Sequence, residues 1–202
     1  QELIRTRRVD AVILEKVVFQ SLPEFDAAMA LGVPAWVNCF RRAVPPYAGS
    51  RGRSLTVDGG QWGLGCNAVH YLDLCAFLAG TDEFVIDDAS LDPEILQSKR
   101  RGFFEFTGRI RGSCGNVGFE LVARAGSDEP ATVRIDGAVV DESALPLQSN
   151  LTHLLVDEIL ATGRSPLPTL EQSRAAHAPL LELFSVHLER MTGQRPARCP
   201  IT

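Results

Sequence analysis

Two apolar runs each end in residues that could do chemistry. The first, VDAVILEK (9–16), closes on Glu15 and Lys16. The second, VPAWVNCF (33–40), carries Asn38, with Arg41 and Arg42 directly behind it. In an open parallel sheet, ligands bind beyond the carboxyl ends of the strands. An ammonium at such an edge can donate to a substrate hydroxyl or steady negative charge developing on it. Position alone also allows a plainer reading of Lys16 as a solvated strand end. Paired arginines are usually a solvated face, and an anion contact through Arg41 is the less common case. The lysine stands out by scarcity, because eighteen of the twenty basic residues are Arg and only Lys16 and Lys99 are Lys. Arg, with its permanent charge and broad fork, would replace a compact ammonium poorly at a ligand-facing edge. Lys99, in a polar run over 97–101, is expected at the surface with no chemical part.

A second cluster is GGQWGLGCNAVHYLDL (59–74). Glycines let backbone approach a ligand closely. His70 is expected in the first turn or so of the helix that follows, with Asp73 three residues on. An imidazole titrating at about 6.5 is a candidate general base, although a helical His is more often structural. Gly63-x-Gly65-x-x-Ala68 has the form of a dinucleotide fingerprint, but it lacks the strand–helix–strand frame that a pyrophosphate loop requires. It is not read as one. His153 and Asp157 share a helix face, and His177 and His187 lie on the last helix. A metal needs three convergent ligands, and no spacing here supplies them. No G-x-S-x-G elbow or nucleophilic Cys context occurs, which leaves a hydrolase without its central residue.

The elements that must position these residues are legible from periodicity. Each apolar run reads as a strand buried on both faces. Between them, Ser21-Leu-Pro-Glu24 has the form of a capping box, opening a helix that stops at Gly32. The three elements make a parallel strand–helix–strand unit. A short strand is expected over 54–57 and a helix over 68–78, closed by Gly80. From Phe103 the period becomes two, with Phe104, Phe106 and Ile110 alternating with Glu105, Thr107, Arg109 and Arg111. A second alternating run over 117–124 and a hairpin turn at Asp136-Gly137 complete an antiparallel meander. Two helices close the chain. One carries an apolar stripe of Leu151, Leu154, Leu155 and Ile159. The other opens at a Thr169-x-x-Gln172 capping box, presents Ala176, Leu180, Phe184, His187 and Met191 on one face, and is kinked at Pro179. The fold class is α/β at the start and α+β afterwards.

Composition sets the bounds. The 202 residues are 45% hydrophobic and 22% charged, with a net charge of −5, which is the profile of a folded globular chain. The acidic balance argues against nucleic acid or an anionic membrane as partner. No apolar run approaches the roughly 18 residues of a membrane span, and residues 1–8 read as the end of a helix rather than a signal peptide. The five Cys are odd in number and contain no C-x-x-C, so a reducing cytoplasm is expected.

Together, Glu15-Lys16, NCFRRAVPPY (38–47), the glycine run into HYLDL (70–74), SNLTHLLVDEILATG (149–163) and the terminal CPIT (199–202) resemble the glucose–fructose oxidoreductase/inositol dehydrogenase (Gfo/Idh/MocA) family. The closing segments look like a branch associated with bacterial surface-sugar biosynthesis. The resemblance runs from Val9 to Thr202. It implies a Rossmann domain binding NAD or NADP, then an α/β domain whose open, largely antiparallel sheet faces substrate and neighbouring subunits. By resemblance, Lys16 orients the reacting hydroxyl beside the nicotinamide, Glu15 flanks it on the cofactor side, and His70 is the acid/base. Asn38, Arg41, Asn67 and Asp73 would line or brace the substrate pocket.

Two positions depart from the family pattern. Val17 stands where Pro is usual, and Cys66 where Asp is common, four residues before the His. Asn67 can hydrogen-bond a substrate but cannot accept a proton. The fingerprint-bearing start of the Rossmann domain would lie upstream of Gln1. Residues 1–42 are then its last strand–helix–strand unit, and 43–202 the substrate and oligomerisation domain. The expected function is an oxidoreductase of a sugar, polyol or nucleotide sugar, with a homo-oligomeric assembly. The competing reading is a truncated homologue without enzymatic activity that only binds a sugar or oligomerises.

Overall fold

A parallel pair of short strands opens the chain. The computed structural model describes residues 6–143 and 145–202, so Gln1–Arg5, expected to be helical, lie outside the described residues. Strand β1 (Val12–Leu14) and strand β2 (Ala35–Val37) run parallel on either side of helix α1 (Leu22–Met29). The Ser21 capping box does not form. The Ser21 hydroxyl donates to Glu24 Oε2 at 2.9 Å instead of accepting from the backbone, and Glu24 also pairs with Arg198 at 2.8 Å. A carboxylate engaged by a guanidinium is no longer free to reach back to the Ser21 N–H, and Pro23 near the helix start removes one donor that a cap would have served.

Strand β3 (Ser54–Gly59) leads into helix α2 (Leu64–Ala79), which begins four residues earlier than expected and ends at Gly80 in the left-handed conformation. Strand β4 (Phe84–Leu91) has no clear alternation in the sequence. Its register shifts between Ile86 and Asp88, and two adjacent acids break the pattern. It is an edge strand, where charge guards against unwanted pairing.

The expected run from Phe103 divides into two elements. The small hairpin of β5 (Leu96–Gln97) and β6 (Phe104–Glu105) stands apart, and β7 (Gly108–Cys114) begins only at Gly108, whose φ is +118°. Thr107, expected on the polar face, is buried and donates to Asp92 Oδ2 at 2.6 Å. Strands β7 and β8 (Val117–Ala123) pair antiparallel through a turn at Gly115. Strands β9 (Thr132–Ile135) and β10 (Ala138–Val139) pair through Asp136-Gly137, both at positive φ as a two-residue hairpin turn requires. The six-stranded order is β10-β9-β3-β8-β7-β4, antiparallel except that β3 runs parallel to β8.

Alternate residues Leu55, Val57, Ile110, Phe119 and Leu121 point from this sheet into the core, which α2 and the last helix, α4 (Leu170–Thr192), cover. Helix α4 runs as one element through Pro179 and is opened by the Thr169–Gln172 capping box. Helix α3 (Thr152–Thr162) buries Leu155 and Ile159 against Trp36 and Phe40 of the β2 region. Two expected core residues are instead exposed, Leu154 on α3 and Met191 in the last turn of α4. The segment before α4 closes the outer edge of β2, where Val37 N–H donates to Pro168 O and Trp36 bridges Thr169. The terminal tail is also tied in: Cys199 N–H donates to Gln20 O, Phe104 N–H to Pro200 O, and Ile201 is buried. Among the described residues, no helix is long and apolar enough to cross a membrane.

Candidate active site

Strand β1 ends at a cleft of about 680 Å³ whose walls include Glu15, Lys16, Trp62, Cys66, Asn67 and Glu105. The β5–β6 hairpin forms its lip, with Lys99 and Arg100, and Thr202 adds part of the rim. Lys16 Nζ donates to Asn67 Oδ1 at 2.6 Å and to Cys66 O at 3.1 Å. Asn67 is itself oriented by its amide, which donates to Trp62 O at 2.7 Å. An ammonium has three donors, and among the described residues two are engaged, so the third remains for a ligand. Glu15 is clamped from both sides, by Asn38 Nδ2 on Oε1 at 2.8 Å and by Gln148 Nε2 on Oε2 at 2.9 Å. The Lys16–Val17 peptide bond is cis.

Of the expected site residues, Glu15, Lys16 and Asn67 therefore meet in the cleft. Asn38 stands behind it as a brace, 1% exposed, with Oδ1 unpartnered among the described residues. His70 does not line the cleft. Because α2 starts at Leu64, His70 falls in the second turn, where its ring is buried edge-on against Phe40 at a centroid distance of 6.4 Å. Burial, reinforced by the charges of Lys16 and Arg41, holds its pKa well below the usual imidazole value, so the ring is neutral at pH 7. Its Nδ1 has no partner among the described residues.

The two arginines are occupied elsewhere. Arg41 pairs with Glu142 at 3.1 Å and stacks on Tyr71 at 4.8 Å, while the Tyr47 hydroxyl donates to the same Glu142 oxygen at 2.8 Å. Arg42 holds both carboxylate oxygens of Asp73, at 2.7 and 3.0 Å. Burial pushes the Asp73 carboxyl up and the guanidinium pulls it back. Arg41 and Asp73 thus brace the scaffold and do not line this cleft.

Three cleft residues were not legible in the sequence. Lys99 belongs to the lip, so both lysines of the chain line one cleft. Arg100 sits beside it and donates to Thr202 Oγ1 at 2.8 Å. Glu105, which alternation assigned to a solvent-facing strand position, turns into the cleft and accepts from the N–H groups of Gly65 and Cys66 at 2.7 and 3.1 Å. The signal in the sequence is Gly108 directly after Thr107, a residue type that marks a bulge or bend inside a strand. Cys66 is no nucleophile, since burial and the neighbouring Glu105 charge push its thiol up to about 12. Among the described residues, no group of three or more His, Cys, Asp or Glu side chains could hold a metal ion.

No known protein-family profile matches the chain, and no curated protein sequence is similar to it. Solved structures are. The chain is a mixed α/β unit carrying a mostly antiparallel open sheet beside a small parallel sheet. This is the fold of the Gfo/Idh/MocA-type dehydrogenases. The WlbA (WbpB) dehydrogenase of Thermus thermophilus, solved with NAD and alpha-ketoglutarate, matches at TM-score 0.56 and 16% identity, over 86% of this chain and 65% of its own. The UDP-N-acetylglucosamine 3-dehydrogenase GnnA of Acidithiobacillus ferrooxidans matches at TM-score 0.58 and 15% identity, over 89% and 70%. The WlbA dehydrogenase of Bordetella pertussis, solved with NADH and UDP-GlcNAcA, matches at TM-score 0.54 and 15% identity, over 100% and 82%. The chain thus spans about two thirds of the length of the Thermus protein.

Proposed function

We propose that this chain is the substrate-side portion of an NAD(P)-dependent oxidoreductase acting on a hydroxyl of a sugar, polyol or nucleotide sugar. The observation that carries the reading is Lys16, pinned by Asn67 and the Cys66 carbonyl with one N–H left for the cleft. In this reading the activity belongs to cytoplasmic surface-glycan biosynthesis and to a homo-oligomer. Residues 1–42 contribute the end of the dinucleotide-binding sheet and 43–202 the substrate domain. Structurally similar dehydrogenases that hold NAD, NADH, a ketoacid or UDP-GlcNAcA support the class. Lys99 and Arg100 give the lip a positive charge that suits an anionic substrate.

Glu15 and Lys16 fit the nicotinamide side of such a site, because they stand beyond the carboxyl end of a parallel strand. The bound nicotinamide supplies a hydride acceptor. Lys16 donates to the reacting hydroxyl oxygen and stabilises the charge that develops there as its proton leaves. His70, the acid/base that the resemblance implies, is buried against Phe40 and does not line the cleft, so in this reading the hydroxyl proton leaves to water in the open cleft. Asn38 and Gln148 keep Glu15 fixed beside Lys16. In the enzyme with its dinucleotide domain, Lys16→Ala should lower kcat/KM by orders of magnitude while barely changing the melting temperature. A variant as fast as wild type would overturn the assignment.

A further inference from the structure

The glycine turn that opens α2 matches a dinucleotide loop in spacing. What it receives is Glu105. The first four N–H groups of a helix lack intrahelical partners, and the carboxylate takes two of them, Gly65 at 2.7 Å and Cys66 at 3.1 Å. The positive end of the helix favours an anion at this place. The approach of Glu105 explains Gly65, and the turn itself explains Gly63. A Cβ on Gly65 would lie 2.9 Å from Glu105 Oε2 and 3.2 Å from Phe106. Gly63 has φ +83°, and a Cβ there would meet Cys66 Sγ at 2.7 Å.

The same turn faces Lys16 with its other side. The peptide that gives its Cys66 N–H to Glu105 belongs to the residue whose carbonyl accepts from Lys16 Nζ, and the next residue, Asn67, provides the second acceptor. Lys16 and Glu105 also line one cleft, close enough for the lysine charge to pull the Glu105 carboxyl down against the effect of burial. We propose that Glu105 is a positioning residue for Lys16: it locks the Gly63–Asn67 turn so that Cys66 O and Asn67 Oδ1 hold the ammonium at the cleft wall. A carboxylate that only capped α2 would leave Lys16 untouched when altered.

The two-lysine composition makes a direct test simple. Protein labelled with 13C,15N-lysine gives two side-chain signals, assigned by Lys99→Arg. Glu105→Gln keeps the shape and removes the charge, and Gly65→Ala displaces the carboxylate while leaving it charged. Both should shift the Lys16 Cε–Nζ signal and speed exchange of its ammonium protons, with Lys99 unmoved. An unchanged Lys16 signal in folded Glu105→Gln or Gly65→Ala protein would overturn the proposal. Should Glu105→Gln not fold, Glu105→Asp, which withdraws the charge by one methylene, must give the same Lys16-selective shift. The consequence for turnover rests on the dehydrogenase reading: in the active enzyme Glu105→Gln should lower kcat more than tenfold with KM little changed. The lysine signals are read without any activity, so failure of the one is distinct from failure of the other.

Discussion

At the scale of single residues, the buried imidazoles couple the fold to pH. His177 is enclosed at the α1–α4 contact, with Nδ1 against Ser173 O at 2.7 Å, while Val18 N–H donates to Nε2 at 3.4 Å. That network is satisfied by the neutral ring, and burial lowers its pKa to about 4. Between that value and the usual 6.5, the unfolded chain binds a proton that the folded one refuses. Stability therefore falls as pH drops below the unfolded value and levels off below the folded one, a loss of roughly 3 kcal/mol when complete. Urea midpoints at pH 7 and 4.5 should differ in wild type, and His177→Gln should remove a substantial part of that difference. An identical pH dependence in the variant would contradict the assignment. The place of Lys16 in the cleft was legible because scarcity and a strand end coincide there. Lys99 and Glu105 were not, since their roles depend on the separate hairpin that carries them into the cleft.

At the scale of elements, two sequences of the capping-box form, Ser21-x-x-Glu24 and Thr169-x-x-Gln172, behave differently. At Thr169 the hydroxyl accepts from Gln172 N–H at 3.2 Å, and the Gln172 side chain accepts from Thr169 N–H at 3.1 Å. Gln172 carries no charge for an arginine to claim, whereas Glu24 is drawn to Arg198. Thr169→Ala should cost about 1 kcal/mol, a melting shift of about 2–4 °C. Ser21→Ala, which loses no backbone bond, should stay within about 0.5 kcal/mol. Thermal unfolding of both variants checks the contrast, and equal losses would refute it. Periodicity located most helices and the β7–β8 hairpin because each exposes one regular face, and continuous apolar runs located the parallel pair. It missed β4, an acidic edge strand with a register shift, and it ran β6 and β7 together. Alternation continues across Thr107 in the sequence, while the Thr107–Asp92 hydrogen bond and the Gly108 backbone turn the chain away.

At the scale of the molecule, the question is which part of a dinucleotide site this chain can provide. Pyrophosphate is usually held by backbone N–H groups at a helix N-terminus behind a glycine turn. The α2 terminus meets that description and is filled by Glu105. The α4 terminus is closed by its own capping box, and the start of α1 carries Glu24 beside Pro23, with no glycine turn. In the proposed reading the described residues supply the nicotinamide side through Glu15 and Lys16, which stand in a cleft with a cationic lip. Contacts to one end of a long cofactor leave most of its binding energy unrealised. NADH titrated into the 202-residue chain, followed by fluorescence, should therefore show no stoichiometric binding at micromolar protein. Covalent or non-covalent addition of a dinucleotide-binding segment should restore it. Tight one-to-one binding by the 202 residues alone would place a pyrophosphate site within them and refute the division of labour argued from α2. Absence of binding even in the complete assembly would instead favour the non-enzymatic reading, in which the cleft holds a sugar and the open sheet serves association.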